Sequence, residues 1–100
     1  MDFALIEQKV LGWARDRNIL DESSDSNQFK KLVEEHTELY EAIKSRNNGD
    51  IKDAIGDMLV VLTSIAWFNH LTLTQCYAHA WNEIKDRKGK MINGLFVKEE

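Results

Sequence analysis

Apolar residues recur along this chain at steps of three and four, the period of an amphipathic helix. Phe3, Ile6, Val10 and Trp13 share one face of a first helix, which runs from a cap at Asp2 to about Arg17. The acidic, serine-rich stretch from Leu20 to Asn27 breaks the pattern and reads as a loop, with caps on offer at Asp25 or Ser26. A second helix covers about Asn27 to Arg46, and Phe29, Leu32, Val33, His36, Leu39, Tyr40 and Ile43 form its expected core stripe. Asn47-Asn48-Gly49-Asp50 is a stop, turn and restart signal, with Asp50 as the cap of a third helix over about Ile51 to His70. Thr72 and Gln75 make a capping box that opens a fourth helix, whose inner stripe is Leu73, Cys76, Tyr77, Ala80 and Ile84. That helix ends before Gly89, and the tail Met91 to Glu100 carries an Asn93-Gly94 turn.

The third helix differs from the others. From Ala54 to Phe68 apolar residues fall on every side, with Asp57 inside the run. A helix that is apolar all round is buried all round. Four helices are too few to surround one of their own, so a second copy is the expected cover. The pattern therefore predicts an all-α, four-helix bundle in one domain, residues 1–100 with a tail from about residue 90, completed as a homodimer or homotetramer.

Composition narrows this picture. The chain has no proline and five glycines, which suits uninterrupted helices. Its net charge is −4, and the basic residues cluster nowhere except Lys85 to Lys90, which speaks against nucleic acid as a partner. An acidic protein still takes a phosphorylated substrate when divalent metal ions supply the positive charge. The single cysteine, Cys76, has no internal disulfide partner. Met1-Asp2-Phe3 does not open a signal peptide, and the apolar run Met58 to Ile65 is too short to cross a bilayer, so a cytoplasmic protein without membrane contact is expected.

The candidate chemistry is acidic. Glu34, Glu35 and Glu38 lie on the second helix, Asp53 and Asp57 on the third. Spacings of three or four let Glu35 converge with Glu38, and Asp53 with Asp57. If the two helices pack antiparallel across the Asn47–Asp50 turn, the pairs face each other. Like charges that close are best tolerated around a hard cation, and oxygen-only ligands favour magnesium or manganese. Glutamates on a helix are ordinarily a solvated face. Asp57 is harder to place that way, because an aspartate inside an apolar stretch needs either a metal or a basic partner from a neighbouring helix.

Glu34-Glu35-His36-Thr37-Glu38-Leu39, followed by Asp53-Ala54-Ile55-Gly56-Asp57-Met58-Leu59, resembles the paired signature of the MazG-like all-α nucleotide pyrophosphohydrolases. Trp13, Arg17, Ile19, Gln28, Lys31 and Ala42-Ile43 also match, so the resemblance runs from about residue 6 to the end of the fourth helix. It implies a magnesium-dependent hydrolase, with manganese as substitute, that splits a nucleoside triphosphate into monophosphate and pyrophosphate. Glu35, Glu38 and Asp57 would hold the metal, and Glu34 would orient or deprotonate the attacking water. The family's remaining glutamate falls on Ala54, which offers no ligand. Asp53 is adjacent but points about 100 degrees away, and could substitute through a shifted metal or a water bridge. Asn82, Lys85 and Lys88 resemble the family's phosphate-contacting group, with Arg87 and Lys90 nearby. Lys31 could assist at phosphate or pair with Glu35, and Trp13 could stack on the base or belong to the core. His36, His70 and His79 have no metal-ligand spacing, and His36 is expected in the core. A dimeric interaction module of the same fold with little catalysis, and a pyrophosphohydrolase acting on a phosphoribosyl nucleotide, are the competing readings.

Overall fold

The computed structural model of the chain describes residues 1–99. Glu100, the end of the expected tail, lies outside the described residues. Five helices run in order: α1 (Phe3–Asp16), α2 (Ile19–Glu22), α3 (Asp25–Ser45), α4 (Asn48–Phe68) and α5 (Leu73–Ile84). Two strands, β1 (Gly89–Ile92) and β2 (Leu95–Lys98), close the described chain. The fold is mostly helical, and no described helix is long and apolar enough to cross a membrane.

Each long helix opens on a side-chain cap that satisfies an otherwise orphaned N–H. Asp2 accepts from the Leu5 amide at 2.8 Å, and Ser24 from Asn27 at 3.1 Å. Asn47 accepts from Asp50 at 3.0 Å. Thr72 and Gln75 form the reciprocal capping box expected of them, at 3.0 and 2.9 Å. The caps of α3 and α4 thus precede the expected Asp25 or Ser26 and Asp50. Arg46 takes the left-handed conformation, which lets Asn47 cap the next helix at once.

The expected loop after α1 instead contains one helical turn, α2. Leu20 drives it, because it buries against Leu11 and Ala14 with Ile19 beside it. The tail is more ordered than expected. Asn93 and Gly94 both adopt positive φ, 50° and 82°, the geometry of a tight primed turn, and pair β1 with β2 antiparallel.

Helices α3 and α4 form the main packing unit. Asn69, just past α4, donates to the Asp25 carboxylate at 3.2 Å, so the two helices run antiparallel over their length. Helix α4 also carries α1, α2 and α5. Small residues make up much of the covered surface: Ala14, Ala42, Ala54 and Ala66 are all buried.

The buried stripes coincide only in part with those the periodicity singles out: Val10 on α1 and Leu32 and Leu39 on α3 are half-buried. On α1 the covered residues are Glu7, Leu11 and Ala14, whereas Phe3, Ile6 and Trp13 remain exposed. On α3 the covered side is Gln28, Leu32, Glu35, Leu39 and Ala42, and Phe29, Val33, His36, Tyr40 and Ile43 face outward. His36 is therefore not a core histidine. Both stripes on each helix keep the three-four step, and close packing selects the one with the small alanine. Within this chain α4 is not covered all round, since Ile55, Leu59 and Trp67 stay exposed, and the expected inner face of α5 leaves Tyr77, Ala80 and Ile84 open.

Candidate metal centre

The antiparallel α3–α4 pair brings Glu35, Glu38 and Asp57 together, with a carboxylate oxygen of each lying within 4.8 Å of the other two. Glu35 is only 5% exposed, while Glu38 and Asp57 open to solvent. Its Oε1 lies 3.5 Å from Lys31 Nζ. Its Oε2 is buried and has no hydrogen-bond partner. Burial raises the Glu35 carboxyl above its ordinary range, and the adjacent Glu38 raises it further, while Lys31 opposes both. A buried carboxylate oxygen without a donor is costly. A divalent cation is the partner that oxygen-only surroundings of this charge accommodate best, so the residues present fit magnesium or manganese.

Beside the three carboxylates lies a cavity of about 620 Å³, bordered by Glu38, Glu41, Asp50, Asp53, Ala54 and Asp57 among others. Asp53 therefore shares this cavity, although it lies outside the close trio. Ala54 contributes its methyl to the wall, at the position where the resemblance expects a glutamate. Glu34 sits outside the trio on the exposed side of α3, paired with Lys31 at 3.2 Å. The two carboxylates together raise the Lys31 pKa, with Glu34 the stronger influence.

Asp57 also borders two apolar cavities between α1 and α4. One, of about 500 Å³, includes Phe3, Ile6, Val10, Lys52 and Val60; the other, of about 380 Å³, includes Trp13. One face of Trp13 is covered by the Arg17 guanidinium, 4.6 Å from the ring centroid. Asn82, Lys85 and Lys88 border none of these three cavities, and α5 does not pack on α3. The structure thus draws the acids together and leaves the expected phosphate-binding group apart.

Sequence reasoning missed Glu7. It is 4% exposed on α1 and caps α5 from a distance. Its carboxylate accepts from the Leu73 amide at 2.6 Å, the Thr74 amide at 2.9 Å and the Thr74 hydroxyl at 2.6 Å. Burial alone would raise its pKa, but the three hydrogen bonds outweigh it and hold the carboxyl below the usual range. Its partners lie 66 and 67 positions away, so only the step Glu7-Leu11-Ala14 could have hinted at burial.

A model of the MazG nucleotide pyrophosphohydrolase domain matches residues 23–92 of the chain. An uncharacterised 18.2 kDa protein from the rep-hol intergenic region of Haemophilus phage HP1 is 37% identical over 70 residues. That match covers 70% of this chain and 43% of the phage protein, so the chain spans less than half the length of this relative. No solved structure matches.

Proposed function

This chain belongs to the MazG nucleotide pyrophosphohydrolase family, and on that footing we propose that it hydrolyses nucleoside triphosphates between the α- and β-phosphates. Water adds to the α-phosphorus, the bond to the bridging oxygen breaks, and pyrophosphate leaves with that oxygen and its electron pair. The observation that carries this reading is Glu35 Oε2, buried and unpartnered beside Glu38 and Asp57.

Glu35, Glu38 and Asp57 are the ligands assigned to magnesium, or to manganese in its place. Bound there, the ion neutralises the triphosphate and lowers the pKa of water. Asp53 borders the same cavity and offers the carboxylate that Ala54 lacks. Glu34 is exposed and one residue from Glu35, where it can take the proton of the attacking water. Lys31 is counter-ion to Glu34 and Glu35 in the metal-free chain, and its ammonium can turn to phosphate when a cation replaces it. Trp13 keeps one ring face free of Arg17 for a base, next to the cavity that Asp57 borders.

Residues 1–100 act on this reading as one domain that works as a homo-oligomer in the cytoplasm, without nucleic acid. Ile55, Leu59 and Trp67 on α4 form the natural contact surface. Ala54 in the cavity wall favours one other reading, a helical interaction module that binds metal weakly and turns over slowly. A panel of ribo- and deoxyribonucleoside triphosphates with magnesium separates the two. Pyrophosphate release by the parent chain, lost in Asp57→Asn, is expected; orthophosphate alone, or no release, rules out the hydrolysis proposed.

A further inference from the structure

Asp57 stands where two kinds of cavity meet. On the α3 side, none of the described residues bordering the carboxylate cavity is basic. On the α1 side, the cavities of about 500 and 380 Å³ share Ile6, Val10, Asp57 and Val60, and so form one groove along α4. Each part of that groove has one lysine, Lys52 in the larger and Lys9 beside Trp13 in the smaller. A polyanion is repelled by the first cavity and better received by the groove.

The larger part is apolar along α1 and polar along the first half of α4, where Lys52, Asp53, Gly56 and Asp57 border it. Glu7 and Thr63 also border it, but both are already engaged. The Glu7 carboxylate accepts from the start of α5, and the Thr63 hydroxyl donates to Leu59 O at 2.7 Å. Lys52 is therefore the side-chain donor left open to a ligand, and it has no ion-pair partner among the described residues.

Gly56 points the same way. It lies in the interior of α4, four residues after Lys52 and next to Asp57, so the glycine and the lysine share a face. Glycine is disfavoured in a helix interior relative to alanine. Packing within the chain does not call for it, because a Cβ added there would meet nothing within 4 Å. The gap opens on the groove, and a bound molecule is what a side chain would obstruct.

We infer that Gly56 and Lys52 are the contact points of the substrate on α4. The triphosphate crosses the helix over Gly56, where the missing side chain lets it approach the backbone, and the Lys52 ammonium donates to a phosphate oxygen. Trp13 borders only the smaller part of the groove, Gly56 and Lys52 only the larger, and Asp57 both. A base at Trp13 and outer phosphates at Lys52 thus leave the bond proposed to break beside Asp57. The identity of the ligand rests on the function proposed above; the contact points rest on the groove.

Titration calorimetry of the full-length chain tests the contacts without turnover, using triphosphates with a methylene bridge between the α- and β-phosphorus, one for each common base. Gly56→Ala should raise the melting temperature by a few degrees, yet weaken the analogue that the parent binds best by at least about tenfold. Gly12→Ala is the control, since an added Cβ there also meets nothing and Gly12 borders none of these cavities. It should stabilise alike and leave binding unchanged. Lys52→Ala should weaken binding at least about tenfold, the worth of a hydrogen bond to a charged group, and Lys52→Arg should recover most of that. Manganese binding by all of these variants should stay within about threefold of the parent, because none removes a carboxylate of the trio. Unchanged analogue binding in Gly56→Ala or Lys52→Ala, a loss in Lys9→Ala instead, a parallel loss of manganese, or no binding by the parent overturns the inference. The expected pattern in a chain that releases no pyrophosphate from natural triphosphates sinks the hydrolysis and leaves the contacts; pyrophosphate release with unchanged binding in both variants does the reverse.

Discussion

Among the described residues two glutamates are buried, and they live under opposite conditions. Glu7, on α1, is enclosed by three donors at the start of α5, which hold its charge in place and lower its pKa. Glu35, on α3, meets one lysine and another carboxylate, keeps an unpartnered oxygen, and has a raised pKa. Both stand on helix faces packed against the rest of the chain, so burial alone does not separate them. The difference lies in what was built around each charge. Glu7 is complete within the chain and joins two helices. Glu35 keeps one oxygen without a donor among the described residues, and a buried carboxylate left partly open in this way is a candidate for binding.

The largest effect expected from breaking the contrast is on turnover. Asp57→Asn or Glu38→Gln should cut pyrophosphate release by about 100-fold or more, since removal even of groups that support metal ligands costs 10–100-fold. Steady-state assays at saturating magnesium check this, and a change of less than threefold would separate these residues from the chemistry.

Stability should then move in opposite directions at the two glutamates. Glu7→Ala leaves two amides and a hydroxyl at the α5 terminus without their acceptor, and is expected to cost about 2 kcal/mol or more, roughly 8–15 °C in melting temperature. Glu35→Gln, without metal, removes a buried charge and lets the new amide donate to Glu38, so it should raise the melting temperature by a few degrees, about 1 kcal/mol. A loss at both positions would mean that Glu35 is satisfied in the metal-free chain after all.

The pH dependence sharpens the same comparison. The folded pKa of Glu7 is depressed, so its contribution is present above the ordinary value of about 4.5 and is lost as pH falls through the lowered folded pKa. For Glu35 the folded pKa is raised, so the native state is favoured when the group is protonated, and that advantage is lost as pH rises through the raised value. Melting curves of metal-free protein from pH 3 to 7 should therefore show a shallower acid decline in Glu7→Gln and a steeper one in Glu35→Gln than in the parent. The smallest effect belongs to the surface: Glu34→Ala breaks an exposed pair with Lys31, leaves the Lys31–Glu35 contact in place, and should change stability by no more than about 0.5 kcal/mol.

Much of the helical order was legible in local chemistry. The Thr72–Gln75 box, the Asp2 cap and the Asn93-Gly94 turn depend on residues a few positions apart, and they form where those residues stand. The choice of stripe was not legible in this way. The expected set on α3 joins Leu32 and Leu39, which are half-buried, to Phe29, Val33, Tyr40 and Ile43, which face outward, and only the approach of α4 separates the two, which no local window contains. Spacing and a short turn anticipated Glu35 with Glu38 facing Asp53 with Asp57; the narrower trio of Glu35, Glu38 and Asp57 is what the resemblance implied, and Asp53 stands outside it. Glu7 could not be anticipated, since its partners are fixed by the docking of α5 on α1.

The central claim is that Glu35, Glu38 and Asp57 close on a divalent cation, and manganese binding followed by electron paramagnetic resonance tests it without reference to turnover. The parent chain should remove free manganese signal with saturating stoichiometry, and Glu35→Gln, Glu38→Gln and Asp57→Asn should each weaken binding at least about tenfold. Equal binding by the parent and all three variants, or none by the parent, would contradict the account.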